Sequence, residues 1–129
     1  MPLPQERIDW MPSPPLAPDH ATDDGPIDMA HLKRMTLGDP GLEREVLAMF
    51  AGQSAGLARE LARLPANAAT LAHTLKGSAR AIGAVRVTEA AEWLEIAMRG
   101  DANAAQALAA LHDSVDEARA AIDAILNRS

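Results

Sequence analysis

Four residues between positions 73 and 80 have the types and the spacing of a reaction site. His73, Lys76, Gly77 and Arg80 stand three, four and seven residues apart in the stretch HTLKGSARAIG. On a helix turning about 100° per residue, Lys76, Gly77 and Arg80 fall within about 60° of His73. Leu71, Leu75, Ala79 and Ile82 fall on the opposite side, with Ser78 nearby. A lone histidine is more often a satisfied core residue, but this wheel sends the leucines to the core and His73 to solvent.

An exposed imidazole is a capable nucleophile when one ring nitrogen carries a free lone pair. Lys76 as a point charge and Arg80 as a fork are suited to phosphate oxygens. Gly77 is conspicuous because glycine inside an exposed helix costs about 1 kcal/mol relative to alanine. In an alanine-rich chain it implies that something must approach the backbone beside His73; otherwise it is a tolerated surface glycine. Phosphoryl transfer needs mainly positioning and charge neutralisation, so a sparse site suffices if a partner brings the other reactant and Mg²⁺. There is no P-loop, no kinase glycine-rich loop and no cofactor motif. The chain reads as a relay rather than a complete kinase, with no cofactor of its own.

Charge distribution supports an anion-handling site. The 129 residues carry a formal net charge of −6, which argues against a nucleic-acid binder. Yet no acidic residue occurs from Leu61 to Thr88, where Arg63, Lys76, Arg80 and Arg86 are all basic. The alternative is a set of ordinary solvated cations; their coincidence with His73 favours the site.

The elements that position these residues are helical. Alanine supplies 28 residues, Trp10, Phe50 and Trp93 are the aromatic residues, and tyrosine is absent, a composition that predicts an all-α fold. The absence of cysteine excludes disulfides and thiolate chemistry. The N-terminal sequence MPLPQERIDW lacks the pattern of a signal peptide, and no apolar run approaches a membrane span. A cytoplasmic location is expected.

Seven of the nine prolines lie within residues 1–26, which read as a flexible tail. Leu3, Ile8, Trp10 and Met11 are the residues of that tail that could pack on a folded domain over 27–129. Asp28 is a candidate N-cap for a short helix, MAHLKRMT. Asp39-Pro40 opens a second helix with a stripe of Leu42, Val46, Phe50, Leu57, Leu61 and Leu64, ended by Pro65. A third helix is expected over about 67–82 with Gly83 as its cap. A fourth has Val87, Ala90, Ala91, Leu94 and Ala97 on one face and ends at Gly100. The last, over about 103–126, has Leu108, Leu111, Val115, Ala118, Ile122 and Ile125 in a narrow seam. Short connections then predict an antiparallel four-helix bundle with one short additional N-terminal helix.

The stretch AHTLKGSARAIGA resembles the signature of histidine-containing phosphotransfer (HPt) domains, H-x-x-K-G with a glycine ten residues after the histidine. His73, Lys76, Gly77 and Gly83 match it, and the resemblance covers about residues 27–126. It implies that His73 accepts a phosphoryl group from a receiver-domain aspartate and passes it to another. Lys76 would stabilise the phosphate and Gly77 would admit the receiver. Family members carry Glu or Gln on the next helix near the histidine ring, and the matching position is Glu95. Glu95 either orients the ring or forms an i,i+4 pair with Arg99. Arg80 lies outside the family signature, so its phosphate-stabilising role rests on the wheel alone.

Receivers dock on such domains through an apolar patch, for which Leu32, Met35 and Leu37 are candidates unless they are core. Trp93 and Ile96 fall on an outer flank. The implied partners are response-regulator receivers and a sensor histidine kinase, of hybrid type, with a monomeric protein between them. Mg²⁺ is expected on the receiver. A di-iron bundle would need paired Glu-x-x-His motifs, which His20, His31, His73 and His112 lack, so no metal is expected. A non-catalytic adaptor that binds a receiver or kinase is the alternative function. The chain begins with Met and stops three residues after Leu126, so a free-standing protein is expected rather than one domain of a chemotaxis-type kinase.

Overall fold

In the computed structural model, residues 25–100 and 103–128 are described. The proline-rich segment of residues 1–24, with Leu3, Ile8, Trp10 and Met11, lies outside the described residues. Within them the fold is all-helical, with five helices and no strand: α1 Met29–Met35, α2 Pro40–Leu61, α3 Ala68–Ile82, α4 Val85–Gly100 and α5 Ala104–Leu126. Each of the four long helices packs on two others: α2 on α3 and α5, α4 on α3 and α5. The short α1 packs on α3.

Local chemistry explains the boundaries. The Asp28 side chain accepts a hydrogen bond from the His31 backbone N–H at the start of α1. Asp39 accepts from the N–H groups of Gly41 and Leu42 at 2.9 and 3.2 Å, with Pro40 at the first helical position. Asn103 caps α5 through the Gln106 N–H. Each cap answers donors that the first helical turn leaves unpaired.

Helix α2 ends at Leu61, short of Pro65. The residue preceding proline is pushed out of the helical region, and Leu64 adopts a left-handed φ of 46°. The buried stripe of α2 overlaps the expected one in part, with Phe50 and Leu61 buried and Val46 and Leu57 packed partly buried against the core. It consists of Leu47, Phe50, Ser54, Ala58 and Leu61, while Leu42 and Leu64 are exposed. The apolar faces of α4 and α5 lie where periodicity places them: Val87, Ala90, Ala91, Leu94 and Ala97, and Leu111, Val115, Ala118 and Ile122, are all buried.

The turn after α3 is the joint that holds α1 in place. Gly83 has a φ of 85° and caps α3. A Cβ there would lie 2.9 Å from the Asp28 carbonyl oxygen and 3.3 Å from the His31 ring. The closeness has a use: the Asp28 N–H donates to the Gly83 carbonyl at 2.7 Å, and His31 Nε2–H donates to the Ala81 carbonyl at 2.9 Å. Replacing Gly83 by alanine adds left-handed strain of about 1–2 kcal/mol to that collision. Gly83→Ala is therefore expected to lose at least about 1 kcal/mol of stability in urea unfolding, with α1 loosened in hydrogen exchange.

Candidate functional site

Helix α3 divides as its wheel requires. Ala68, Ala72, Leu75, Ala79 and Ile82 are buried, and the His73 side chain is 64% exposed on the other face. The packing of α3 on α4 brings Glu95, 22 residues on, to the imidazole. His73 Nδ1 lies 2.9 Å from Glu95 Oε2.

Glu95 is buried, and three cationic or proton-donating groups converge on it. Lys76 Nζ is 2.8 Å from Oε1 and Arg99 Nη1 is 3.0 Å from Oε2. The Lys76 contact is at ion-pair distance but off the direction of a well-aligned hydrogen bond, so Oε1 is satisfied by charge rather than by directed bonding. The close contact and positive charge of Lys76 hold the Glu95 carboxyl below its ordinary value of 4.5, against the opposing effect of burial, and His73 adds to the lowering. An ionised carboxylate can only accept. The Nδ1 atom of His73 must therefore carry the ring proton, which leaves the Nε2 lone pair free on the neutral ring.

The two sequence readings of Glu95 prove compatible, since one carboxylate serves the ring and Arg99 together. With a neutral ring, Glu95, Lys76 and Arg99 leave one net positive charge beside the imidazole. Lys76, read from sequence as an open phosphate contact, has a side chain only 15% exposed and turned onto Glu95. Arg99 was visible in sequence only as an i,i+4 partner; its place beside the imidazole depends on the α3–α4 packing.

Gly77 is exposed, and a Cβ on it would meet nothing within 4 Å. No contact among the described residues requires a glycine there. Arg80 is exposed two turns beyond His73, about 10 Å along the axis, where it lines a recess near the end of α3. Between α2 and α3 runs an apolar groove of about 200 Å³ lined by Val46, Met49, Phe50, Gln53, Ser78 and Ala81, with Met49 71% exposed.

One docking candidate is corrected. Leu32 has no exposed surface, because α1 turns it into the core where it packs as the buried residue of a single amphipathic turn. Met35 and Leu37 are exposed, and Leu37 holds a left-handed φ of 56°. Trp93 and Ile96 are exposed on α4. Among the described residues there is no group of three or more His, Cys, Asp or Glu side chains arranged to hold a metal ion, and no helix is long and apolar enough to cross a membrane.

Fold and site together define a helical protein that presents an oriented, solvent-facing imidazole on a cationic helix face. The family model of the Hpt domain matches residues 45–127, and the chain belongs to the Hpt domain family. Its structure is similar to that of a rice protein solved as a candidate histidine-containing phosphotransfer protein. The TM-score is 0.71 at 19% sequence identity, over 84% of each chain. No curated protein matches the chain.

Two measurements probe the site. The Glu95 carboxyl is lowered on folding, so its contribution to stability is present above its ordinary value of 4.5 and is lost as pH falls through the folded value. Urea unfolding across pH is expected to show wild type declining relative to Glu95→Gln only on the acid side of that value, with a constant difference at neutral pH. Gly77→Ala is expected to gain about 1 kcal/mol in the same assay, since the methyl group meets nothing, while slowing any reaction that brings a partner against α3.

Proposed function

We propose that this protein is a phosphorelay intermediate in which His73 takes a phosphoryl group from a receiver aspartate and passes it to a second receiver. The observation that carries the reading is the Nδ1–Glu95 contact on an otherwise exposed ring. It selects the tautomer whose free nitrogen is Nε2, on a ring that is largely exposed.

In the forward step the Nε2 lone pair attacks phosphorus, and the N–P bond forms as the P–O bond to the aspartate breaks. The bonding pair leaves with the aspartate oxygen. Nδ1 keeps its proton throughout, and the positive charge that develops on the ring lies against the Glu95 carboxylate. The return step reverses these movements, so neither direction needs a proton to leave the site. Lys76 and Arg99 supply the positive charge that a phosphoryl group on Nε2 would meet; charge neutralisation on the donor side falls to Mg²⁺ held by the receiver. Such a chain transfers phosphate without binding nucleotide, which fits an intermediate rather than a kinase.

The ring of packing contacts among α2, α3, α4 and α5 supports an antiparallel four-helix bundle as the scaffold. Gly77 leaves the backbone open beside His73, and the α2–α3 groove with Met49 and Phe50 offers an apolar surface on the adjoining flank. Met35 and Leu37 extend the exposed apolar surface from α1 into the following turn. A receiver seated there would face Nε2. The partners are receivers and a hybrid sensor kinase, and the protein acts as a cytoplasmic monomer.

The test is incubation with a phosphorylated receiver. Wild type is expected to acquire acid-labile, base-stable phosphate, and His73→Gln to acquire none. Normal labelling of His73→Gln would refute the assignment. Binding of receivers without labelling of wild type would point to the adaptor instead.

A further inference from the structure

Several of the cations on and near α3 are committed to carboxylates, and Arg80 is not. Lys76 and Arg99 pair with Glu95, Arg86 with Glu117 at 2.7 Å, and Lys33 with Glu43 at 3.6 Å. Arg80 is exposed and makes no hydrogen bond or ion pair among the described residues. It shares the outer face of α3 with His73 and Gly77, yet it does not line up with the Glu95 network. It borders instead a recess of about 310 Å³ with Asp28, His31, Val85, Thr88 and Glu89, around the Gly83 turn.

We infer that this recess is a second recognition point for the docking receiver, taking a carboxylate side chain of that partner on Arg80. The inference rests on the phosphorelay reading and adds to it how one receiver is told from another.

The walls of the recess explain the choice of ligand. Most of its polar groups are already used to hold the fold together. His31 Nε2–H is given to the Ala81 carbonyl, the Asp28 N–H to the Gly83 carbonyl, and the Thr88 hydroxyl to the Ala84 carbonyl at 2.9 Å. The Arg80 guanidinium is the cationic donor left to an incoming group, and its planar fork matches a carboxylate. Asp28 and Glu89 in the same walls oppose a dianionic phosphate more strongly than a singly charged carboxylate. The same two groups would repel a carboxylate presented off the guanidinium, which makes the site selective for position as well as charge.

Scale also fits. Arg80 lies about 10 Å along the α3 axis from His73, within one partner's share of a standard interface, about 800 Å². A receiver reaching Nε2 can therefore reach Arg80. The recess is anchored where α1 is tied to the end of α3 around Gly83, and the distance from nucleophile to anchor is set within one continuous helix, α3.

The test measures transfer from several phosphorylated receivers to wild type, Arg80→Gln and Arg80→Lys, as a function of receiver concentration and ionic strength. Arg80→Gln is expected to raise the half-saturating concentration about tenfold for the favoured receiver, far more than it lowers the maximal rate. Its half-saturating concentration should also respond less to salt than that of wild type. Arg80→Lys is expected to recover part of the loss, and receivers should differ in their sensitivity. A fall in maximal rate with unchanged half-saturation would overturn the proposal in favour of a direct phosphate contact. Equal behaviour of wild type and Arg80→Gln would overturn it in favour of a solvated cation. If wild type accepts phosphate from no receiver, the phosphorelay reading has failed and the anchor falls with it; circular dichroism of each variant excludes misfolding as the cause.

Discussion

Glu95 is a buried carboxylate shared by three partners, and the arrangement of the site depends on it. A carboxylate removed from water is strongly unfavourable unless charge and hydrogen bonds replace the lost solvation. Lys76, Arg99 and the Nδ1–H of His73 provide them. Each partner is in turn constrained by meeting that need. The imidazole is left with one tautomer, Lys76 is drawn down from solvent, and Arg99 is held next to the ring. A ring nitrogen left with a free lone pair on an exposed imidazole is thus a consequence of satisfying a buried charge between two helices.

That arrangement requires α3 and α4 to keep their relative register, and the turn between them is short. Gly83 lets α3 end in a left-handed cap while α4 begins two residues later. The same residue lets Asp28 approach closely enough to hydrogen-bond the Gly83 carbonyl. One missing side chain therefore serves helix termination, helix register and the seating of α1. Gly77 stands differently, since nothing among the described residues lies within 4 Å of where its Cβ would be. The two glycines of one helix are separated by what lies outside them: protein backbone in one case, solvent in the other.

The helices were legible because their signals are local. Asp28 and Asp39 announce helix starts through groups only two or three residues away. The seam of α5 and the face of α4 follow a period that the core repeats. The stripe of α2 was less legible. Its true face includes Ser54 and Ala58, whose small or polar side chains carry little hydropathic signal, and excludes Leu42 and Leu64, which do. Leu32 was left open between a docking and a core residue for a related reason: a helix of seven residues is too short for periodicity to separate its buried side from its exposed one.

At the site, the sequence by itself determined that His73, Gly77 and Arg80 share the face opposite the leucines of α3, because the helical period relates neighbours a few residues apart. It determined equally that Glu95 and Arg99 lie one turn apart on another helix. What tertiary structure decided was how those two helix faces meet. Only the packing of α3 on α4 converts an exposed histidine into one with a committed Nδ1, turns Lys76 from solvent to a carboxylate, and leaves Arg80 as the uncommitted cation of its helix. Those outcomes turn on contacts between residues 19 and 22 positions apart, where side-chain geometry and burial decide the partner and spacing along the chain carries no information.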